Sequence, residues 1–473
     1  MRVLPKDFSR IITWGLIGSF LVYFTGWLVA LRDEHAARYA TMALDMARSG
    51  NFFQFDDPLL FFQKANLPLW LSAISIQIFG PNHLAYRLPG LLPAILSLYA
   101  VYRFSKLYYN TETSLLAVLI LATAESSFML NHDLSVETYQ AAFYMFMIWQ
   151  QAEYLHHKKW QNLLLCIMGG ILLIFSRGTL PGPQSQFAPL EPLIQTLWTF
   201  APWTIFLFAG LWSRIREVLV SGKMDRKPEQ MSLFGFLVPF ILLSLSPYHS
   251  DHDVFVAFPL AAVVASEFIF TRIYQAQRNG NKMLSNIQIA FLYLMLAVLF
   301  CLVWFPFPDN NYYGMLHYMA LFGIVSWLIF FSGPKFRLLL ASVIVAIGAN
   351  LILNIFFYSN LADYQAGSKL GALARTDGVK AGRLFSYHAP ETTLLHFYSG
   401  TKVQTNSDFE NLAALKNCWI YTNQAYLEQF RAVRPDLKII GRSAEYDHSK
   451  PLIRFLNPET REKAVSKMVL IRL

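Results

Sequence analysis

Long apolar runs constrain this chain more than any other feature. Residues 11–31, 113–130, 163–175, 231–245, 254–270, 287–305 and 338–357 are each mostly apolar. Several approach the roughly 20 residues that carry a helix across a bilayer core. Lipid offers the backbone no hydrogen-bond partners, so such runs must satisfy themselves as helices. The composition agrees. Of 473 residues, 55% are hydrophobic and only 15% are charged, against about 25% in a soluble domain. The first run is long, and Leu31-Arg32-Asp33-Glu34 follows it where a signal peptide would have small residues. It therefore reads as a retained first span.

About eleven spans follow from this pattern, near residues 10–31, 84–105, 112–130, 134–152, 160–176, 191–212, 231–246, 253–271, 285–306, 314–332 and 337–358. The net charge of +9 is not spread evenly. With the N-terminus in the cytoplasm, the inner segments hold Arg2, Lys6 and Arg10, then Arg103 and Lys106, Lys158 and Lys159, Arg214 to Lys227, Arg272 to Lys282, and Lys335 and Arg337. The short outer loops near 131–133, 247–253 and 307–312 hold no Lys or Arg. That is the positive-inside asymmetry. A basic balance of this kind reports topology, and no nucleic-acid motif accompanies it. An odd span count puts the C-terminal end outside. The expected fold is a polytopic α-helical membrane domain, residues 1–359, followed by a small extracytoplasmic α/β domain, residues 360–473.

Two segments depart from the membrane pattern. The first is the outer loop 32–83. In it Ala36, Tyr39, Ala40, Ala43, Leu44 and Ala47 recur at helical spacing, which reads as an amphipathic helix lying on the membrane surface. Ser49-Gly50-Asn51 ends it. A second helix, 67–79, is too short to span. The other segment is the C-terminal stretch, where strand-like runs (383–387, 402–405, 419–422, 437–440, 468–471) alternate with helix-like ones (362–374, 391–398, 409–416, 425–432). It carries no phosphate-binding glycine loop. Cys166, Cys301 and Cys418 are scattered, so neither a disulfide framework nor a cysteine metal site is available.

The order of short motifs is more specific than any one of them. Asp33-Glu34 stands at the outer end of the first span. Arg38-Tyr39-Ala40, Ser49-Gly50-Asn51, Lys64, Pro68, Trp70, Phe79-Gly80 and Arg87-Leu88-Pro89 follow. Further on come Asp133, Arg177-Gly178, Pro202-Trp203-Thr204, Leu243-Ser244-Leu245-Ser246 and Phe258-Pro259. This order resembles the GT-C class of glycosyltransferases that use lipid-linked sugars, the group of the protein O-mannosyltransferases and the bacterial aminoarabinose transferases of lipid A. Here His35-Ala36-Ala37 separate Glu34 from Arg38, and Gln63-Lys64-Ala65 stands where the family has Glu-Lys-Pro.

The resemblance implies an inverting transfer of a sugar from a polyprenyl phosphate, such as undecaprenyl phosphate, at the non-cytoplasmic face of the inner (plasma) membrane. The acceptor would be a lipid A-like glycolipid, a polysaccharide or a protein. It makes Asp33 the catalytic carboxylate, with Glu34 beside it and Asp133 facing the same cavity. Lys64, Arg38, Arg87 and Arg177 become the phosphate-binding cations. Such roles suit the residue types: a carboxylate takes a proton from a hydroxyl, and cations stabilise the charge left on a departing phosphate. Tyr248, His249 and Trp70 are expected to contact donor or acceptor. Tyr248 to Asp253 is the densest outer cluster of ligand-type groups, and Asp251, His252 and Asp253 could hold a divalent cation, although no cofactor is required. Two other classes stay open. A secondary transporter would show internal repeats, and none is found. A non-catalytic lipid-linked-sugar-binding protein would keep the cations without needing the acid.

Overall fold

The computed structural model describes residues 6–31, 34–52, 67–132, 136–176, 189–221, 230–246, 253–271, 282–308, 312–333, 336–389, 392–447 and 450–473. Among them, six helices are long and apolar enough to cross a membrane. They are Asp7–Leu28, His83–Tyr108, Asp253–Thr271, Lys282–Trp304, Tyr312–Phe331 and Arg337–Ala362. Shorter apolar helices, Leu67–Phe79, Thr111–Thr123, Trp160–Ser176 and Met231–Leu245, pack among them. The chain is a polytopic α-helical membrane protein with a small sheet at its C-terminal end.

The helices used below are α1 (Lys6–Leu28), α2 (Glu34–Ser49), α3 (Leu67–Phe79), α4 (Leu91–Tyr108), α5 (Thr111–Thr123), α6 (Val136–His157), α7 (Trp160–Ser176), α8 (Glu191–Thr199), α9 (Thr204–Ser221), α10 (Met231–Leu245), α11 (Phe258–Phe268), α12 (Lys282–Trp304), α13 (Tyr312–Phe331) and α14 (Arg337–Ile352). The main core lies between α1, α4, α5, α6, α9, α10, α11 and α14. A second core joins α12, α13 and α14. At one end of the bundle, Arg103 meets Glu153 at 3.2 Å and Arg214 meets Glu267 at 3.5 Å. These pairs tie α4 to α6 and α9 to α11.

Two spans read as continuous from the sequence are broken in the structure. Residues 112–130 stop being helical at Ala124, which is extended (φ −70, ψ 141). Residues 191–212 break between α8 and α9, at Pro202, which has no N–H to give a helix. The two breaks face and satisfy each other. Glu125 N–H donates to the Ala201 carbonyl at 3.0 Å. The Trp203 indole donates to the Thr123 hydroxyl at 2.9 Å. Gln288 of α12 donates to the Pro202 carbonyl at 2.9 Å, and Asn350 of α14 donates to the Glu125 carboxylate at 2.7 Å. Buried backbone groups rarely go unpaired, and here one break supplies what the other lacks.

The C-terminal region builds a five-stranded sheet from β1 (Leu384–Tyr387), β2 (Gln404–Thr405), β3 (Trp419–Asn423), β4 (Lys438–Tyr446) and β5 (Val465–Arg472). Their order is β2-β1-β3-β5-β4. β1 runs parallel to β2 and β3, while β5 is antiparallel to β3 and β4. One face packs on α15 (Ala366–Thr376) through Leu370, Trp419 and Tyr421. The other buries Ile420, Phe430 and the fully enclosed Cys418. β4 continues well past the run 437–440 read from the sequence, because β5 pairs with it as far as Tyr446.

α2 differs from its reading as a helix lying on the membrane surface. Its apolar stripe of Ala36, Ala37, Ala40, Ala43 and Leu44 is buried against protein: α3 on one side, and α16 (Thr393–Ser399), with Leu394 and Phe397, on the other. Alanine at these positions lets three helices approach closely. Ala40 has no exposed surface, whereas Met42 on the same helix is half exposed. Ala40→Leu is expected to cost about 1–3 kcal/mol through overpacking, and Met42→Leu to be near neutral. Thermal unfolding in detergent reads both.

Candidate functional site

α1 ends at Leu28, three residues before the run 10–31 read from the sequence, and Arg87 is the reason. Its guanidinium is 1% exposed. It donates from Nη1 to the carbonyls of Trp27 (2.9 Å) and Val29 (2.6 Å), and from Nη2 to Ala30 (3.5 Å). These carbonyls belong to the helix end, which has no partner of its own for them. A cation at this end also meets the negative pole of the helix dipole. Arginine suits the task because its planar fork reaches several acceptors at once. From the opposite side, Leu31 N–H donates to the Tyr398 hydroxyl of α16 at 3.0 Å. Residues 27–31 are thus held by two side chains, immediately before Arg32, Asp33 and the start of α2.

Arg87 is itself held in place. It closes the short helix His83–Arg87, whose first turn is capped by Asn82 accepting from Ala85 N–H at 2.8 Å. Ser72 and Ser75 of α3 donate to the carbonyls of Tyr86 (3.2 Å) and Ala85 (2.6 Å). Pro89 stands in the first residues of the turn Leu88–Gly90 that follows, where a missing N–H costs nothing. The Arg-Leu-Pro motif therefore joins a helix cap to the start of a span.

α16 of the C-terminal region clasps α2 along its length. Thr41 donates to the Thr393 carbonyl at 3.2 Å, and His396 Nε2 lies 3.0 Å from Asp45. Gly400 ends α16 in the left-handed region (φ +68), and a Cβ there would lie 2.9 Å from the Arg48 guanidinium. The backbone conformation favours glycine. Burial pulls the Arg48 pKa below its ordinary value, with the Asp45 carboxylate opposing that pull. Arg375 of α15 adds a bond to the Pro81 carbonyl at 2.7 Å.

At this end of the bundle a small cleft of about 60 Å³ opens between α1, α4, α6 and the Glu125–His132 helix. Ser97, Ser126, Ser127, Thr138 and Tyr23 bring hydroxyls to it, and Phe255 and Pro259 form an apolar wall. Sugars present the same mixture of hydroxyls and apolar ring faces.

The residues singled out from the sequence occupy different parts of the fold. Arg87 is buried at the end of α1. Arg38 stands on the exposed side of α2, and Trp70 lies half-buried on α3. Asp253 opens the turn Asp253–Ala257, whose Phe255 lines the cleft. Glu34 is the first residue of α2. Asp33, Lys64, Asp133, Arg177, Tyr248, His249, Asp251 and His252 lie outside the described residues. Among the described residues no group of three His, Cys, Asp or Glu side chains is placed to hold a metal ion. Sequence reasoning missed Tyr398, because only the fold brings α16 to the end of α1. It also missed Tyr139, six residues after Asp133, whose buried hydroxyl has no hydrogen-bond partner among the described residues. Tyr139 packs with Leu31, Ala36 and Tyr86.

Residues 63–180 match the family described as dolichyl-phosphate-mannose-protein mannosyltransferase. Among solved structures the chain is similar to ArnT from Cupriavidus metallidurans in the apo state, with a TM-score of 0.64 and 12% identity over 98% of each chain. It is similar too to ArnT from the same organism bound to undecaprenyl phosphate, with a TM-score of 0.62 and 13% identity over 97% of each chain. No curated protein matches the sequence. At such identities the likeness is one of fold, and it extends over nearly the whole length, the C-terminal sheet included.

Arg87→Lys keeps the charge and loses the fork. It is expected to cost about 1.5–3 kcal/mol, the worth of a hydrogen bond to a charged group, which thermal unfolding in detergent checks.

Proposed function

We propose that the chain is a membrane glycosyltransferase of the GT-C class that moves one sugar from a polyprenyl phosphate to an envelope acceptor on the non-cytoplasmic face. The resemblance read from the motif order is borne out by the family match and by the fold. Two of the compared proteins favour the donor class: the matched family is described by dolichyl-phosphate-mannose, and one ArnT structure holds undecaprenyl phosphate. The lipid on this chain is then a polyprenyl phosphate such as undecaprenyl phosphate.

The observation that carries the reading is the double hold on residues 27–31 by Arg87 and Tyr398. A catalytic carboxylate needs a fixed address, and Asp33 follows directly. In the proposed reaction an acceptor oxygen attacks the anomeric carbon on the face opposite the phosphate. The new C–O bond forms as the bond to the phosphate oxygen breaks, which inverts the centre. The electron pair leaves with the polyprenyl phosphate. Asp33 takes the acceptor proton when the acceptor is a hydroxyl, with Glu34 supporting it and Asp133 facing the same space. Lys64, Arg38 and Arg177 meet the phosphate, where low surrounding polarity strengthens their effect. Arg87 donates to the carbonyls of Trp27, Val29 and Ala30 and in this scheme adds positive charge for the departing phosphate.

Tyr248, His249 and Trp70 would touch donor or acceptor. A divalent cation at Asp251, His252 and Asp253 is compatible with this scheme and is not needed by it. If the acceptor is a lipid phosphate, its oxygen is already ionised, and Asp33 positions a group of the sugar instead. The positive-inside asymmetry favours an inner (plasma) membrane orientation with the N-terminus cytoplasmic and residues 360–473 outside.

Asp33→Asn is expected to lower transfer from a polyprenyl-phosphate sugar by roughly 10²–10⁴-fold while thermal unfolding stays unchanged. Wild-type turnover in that variant would remove Asp33 from the chemistry. Mass spectra of envelope lipids from cells with and without the chain should differ by one sugar on a glycolipid. Identical spectra would point to a polysaccharide or protein acceptor.

A further inference from the structure

A second and larger groove, of about 670 Å³, lies at the other end of the bundle, between α1, the end of α13 and α14. Its two ends differ in chemistry. Asp7, Arg10 and Arg337 stand at one end, and Gly15, Val343 and Ile347 line the other. From Asp7 to Gly15 along α1 is about 12 Å at 1.5 Å per residue. The apolar end closes where α1 and α14 touch, since a Cβ on Gly18 would lie 2.7 Å from Ile347. Trp14 and Trp327 line the groove and are 69% and 59% exposed. Tryptophan favours the boundary between headgroups and acyl chains.

The charged end is built to receive an anion. Arg10 lies 3.9 Å from Asp7, and Arg337 donates to the Ile329 carbonyl at 3.3 Å. A guanidinium has five N–H donors, so each arginine keeps further donors for a ligand. Two cations against one acid leave a local excess of one positive charge. Phe336, held in the left-handed region (φ +63), lines the groove beside Arg337 and packs on Phe8 at 5.5 Å. A non-glycine residue held there is uncommon.

We propose that this groove seats one anionic glycerophospholipid, with its phosphate on Arg10 and Arg337, Asp7 facing the headgroup's hydroxyls, and its acyl chains along the apolar walls toward Ile347. One phosphodiester neutralises the excess charge. The same arginines fall on the side that charge asymmetry marks as cytoplasmic, where anionic headgroups are found. The lipid fills the space between α1 and the ends of α13 and α14, at the end of α1 away from its Arg87 cap, and so stabilises α1. The site does not depend on the transfer reaction.

The test is lipid retention by the purified full chain, read by native mass spectrometry after delipidation and refilling with phosphatidylglycerol or phosphatidylethanolamine. The wild-type chain is expected to keep one phosphatidylglycerol per chain and to exchange phosphatidylethanolamine freely. Arg10→Ala/Arg337→Ala should weaken retention by about fivefold per arginine. Ile344→Trp narrows the apolar end of the groove, leaves both arginines in place, and should weaken retention. Equal retention in wild type and both variants would mark the lipid as ordinary annular lipid and overturn the proposal. Preferential retention of a polyprenyl phosphate, or no preference between the two phospholipids, would overturn it as well. If the double variant fails to fold, the Ile344→Trp comparison decides alone. Because the readout counts lipid, loss of the glycosyl-transfer reading would leave its outcome unaffected.

Discussion

A helix that ends near a membrane surface must place its last carbonyls somewhere, and in this chain they converge on one buried guanidinium. Arg87 gives Nη1 to the carbonyls of Trp27 and Val29 and reaches Ala30 with Nη2. Burying a charge costs several kcal/mol unless it is hydrogen-bonded and meets an opposing field. The helix end supplies both. Removing either partner would strand the other, so the end of α1 and the start of the second span are fixed together.

The same cap makes the C-terminal region part of the site. Tyr398 holds Leu31 from the side opposite Arg87, and α16 lies along α2 through Thr393, His396 and Gly400. Residues far apart in sequence therefore share one small core with Ala36, Ala40 and Tyr86. A region that carries no catalytic motif of its own still shapes the proposed catalytic stretch. This accounts for a fold shared over 98% of the chain with a protein only 12% identical: the sheet and the membrane helices belong to one packed unit.

Inside the bundle, polar groups bridge irregular backbone. The breaks at Ala124 and Pro202 lie against each other, and Thr123, Trp203, Gln288, Asn350 and Glu125 connect them. Non-helical backbone at membrane depth is tolerated only where protein supplies its partners. The arrangement also brings Ser126 and Ser127 into the cleft, on a helix that begins at the break. A continuous span would have carried them elsewhere around its axis.

The apolar runs alone determined that the chain lives in a membrane, because lipid leaves a 20-residue apolar segment few alternatives to a helix. The alternation at the C-terminal end likewise determined the small α/β region, and the order of short motifs pointed to the fold that the chain shares with ArnT. Hydropathy cannot see what crosses between segments. It read residues 112–130 and 191–212 as continuous, since the partners that make their breaks tolerable lie on other helices. It read α2 as a surface helix, since an alanine stripe looks alike whether it faces lipid or α16. The resemblance made Arg87 a phosphate-binding candidate, and only the tertiary structure showed that its Nη1 and Nη2 cap the end of α1. Local pattern follows from each residue's own solvation, whereas a cap, a clasp or a paired break exists only when distant segments arrive at the same place.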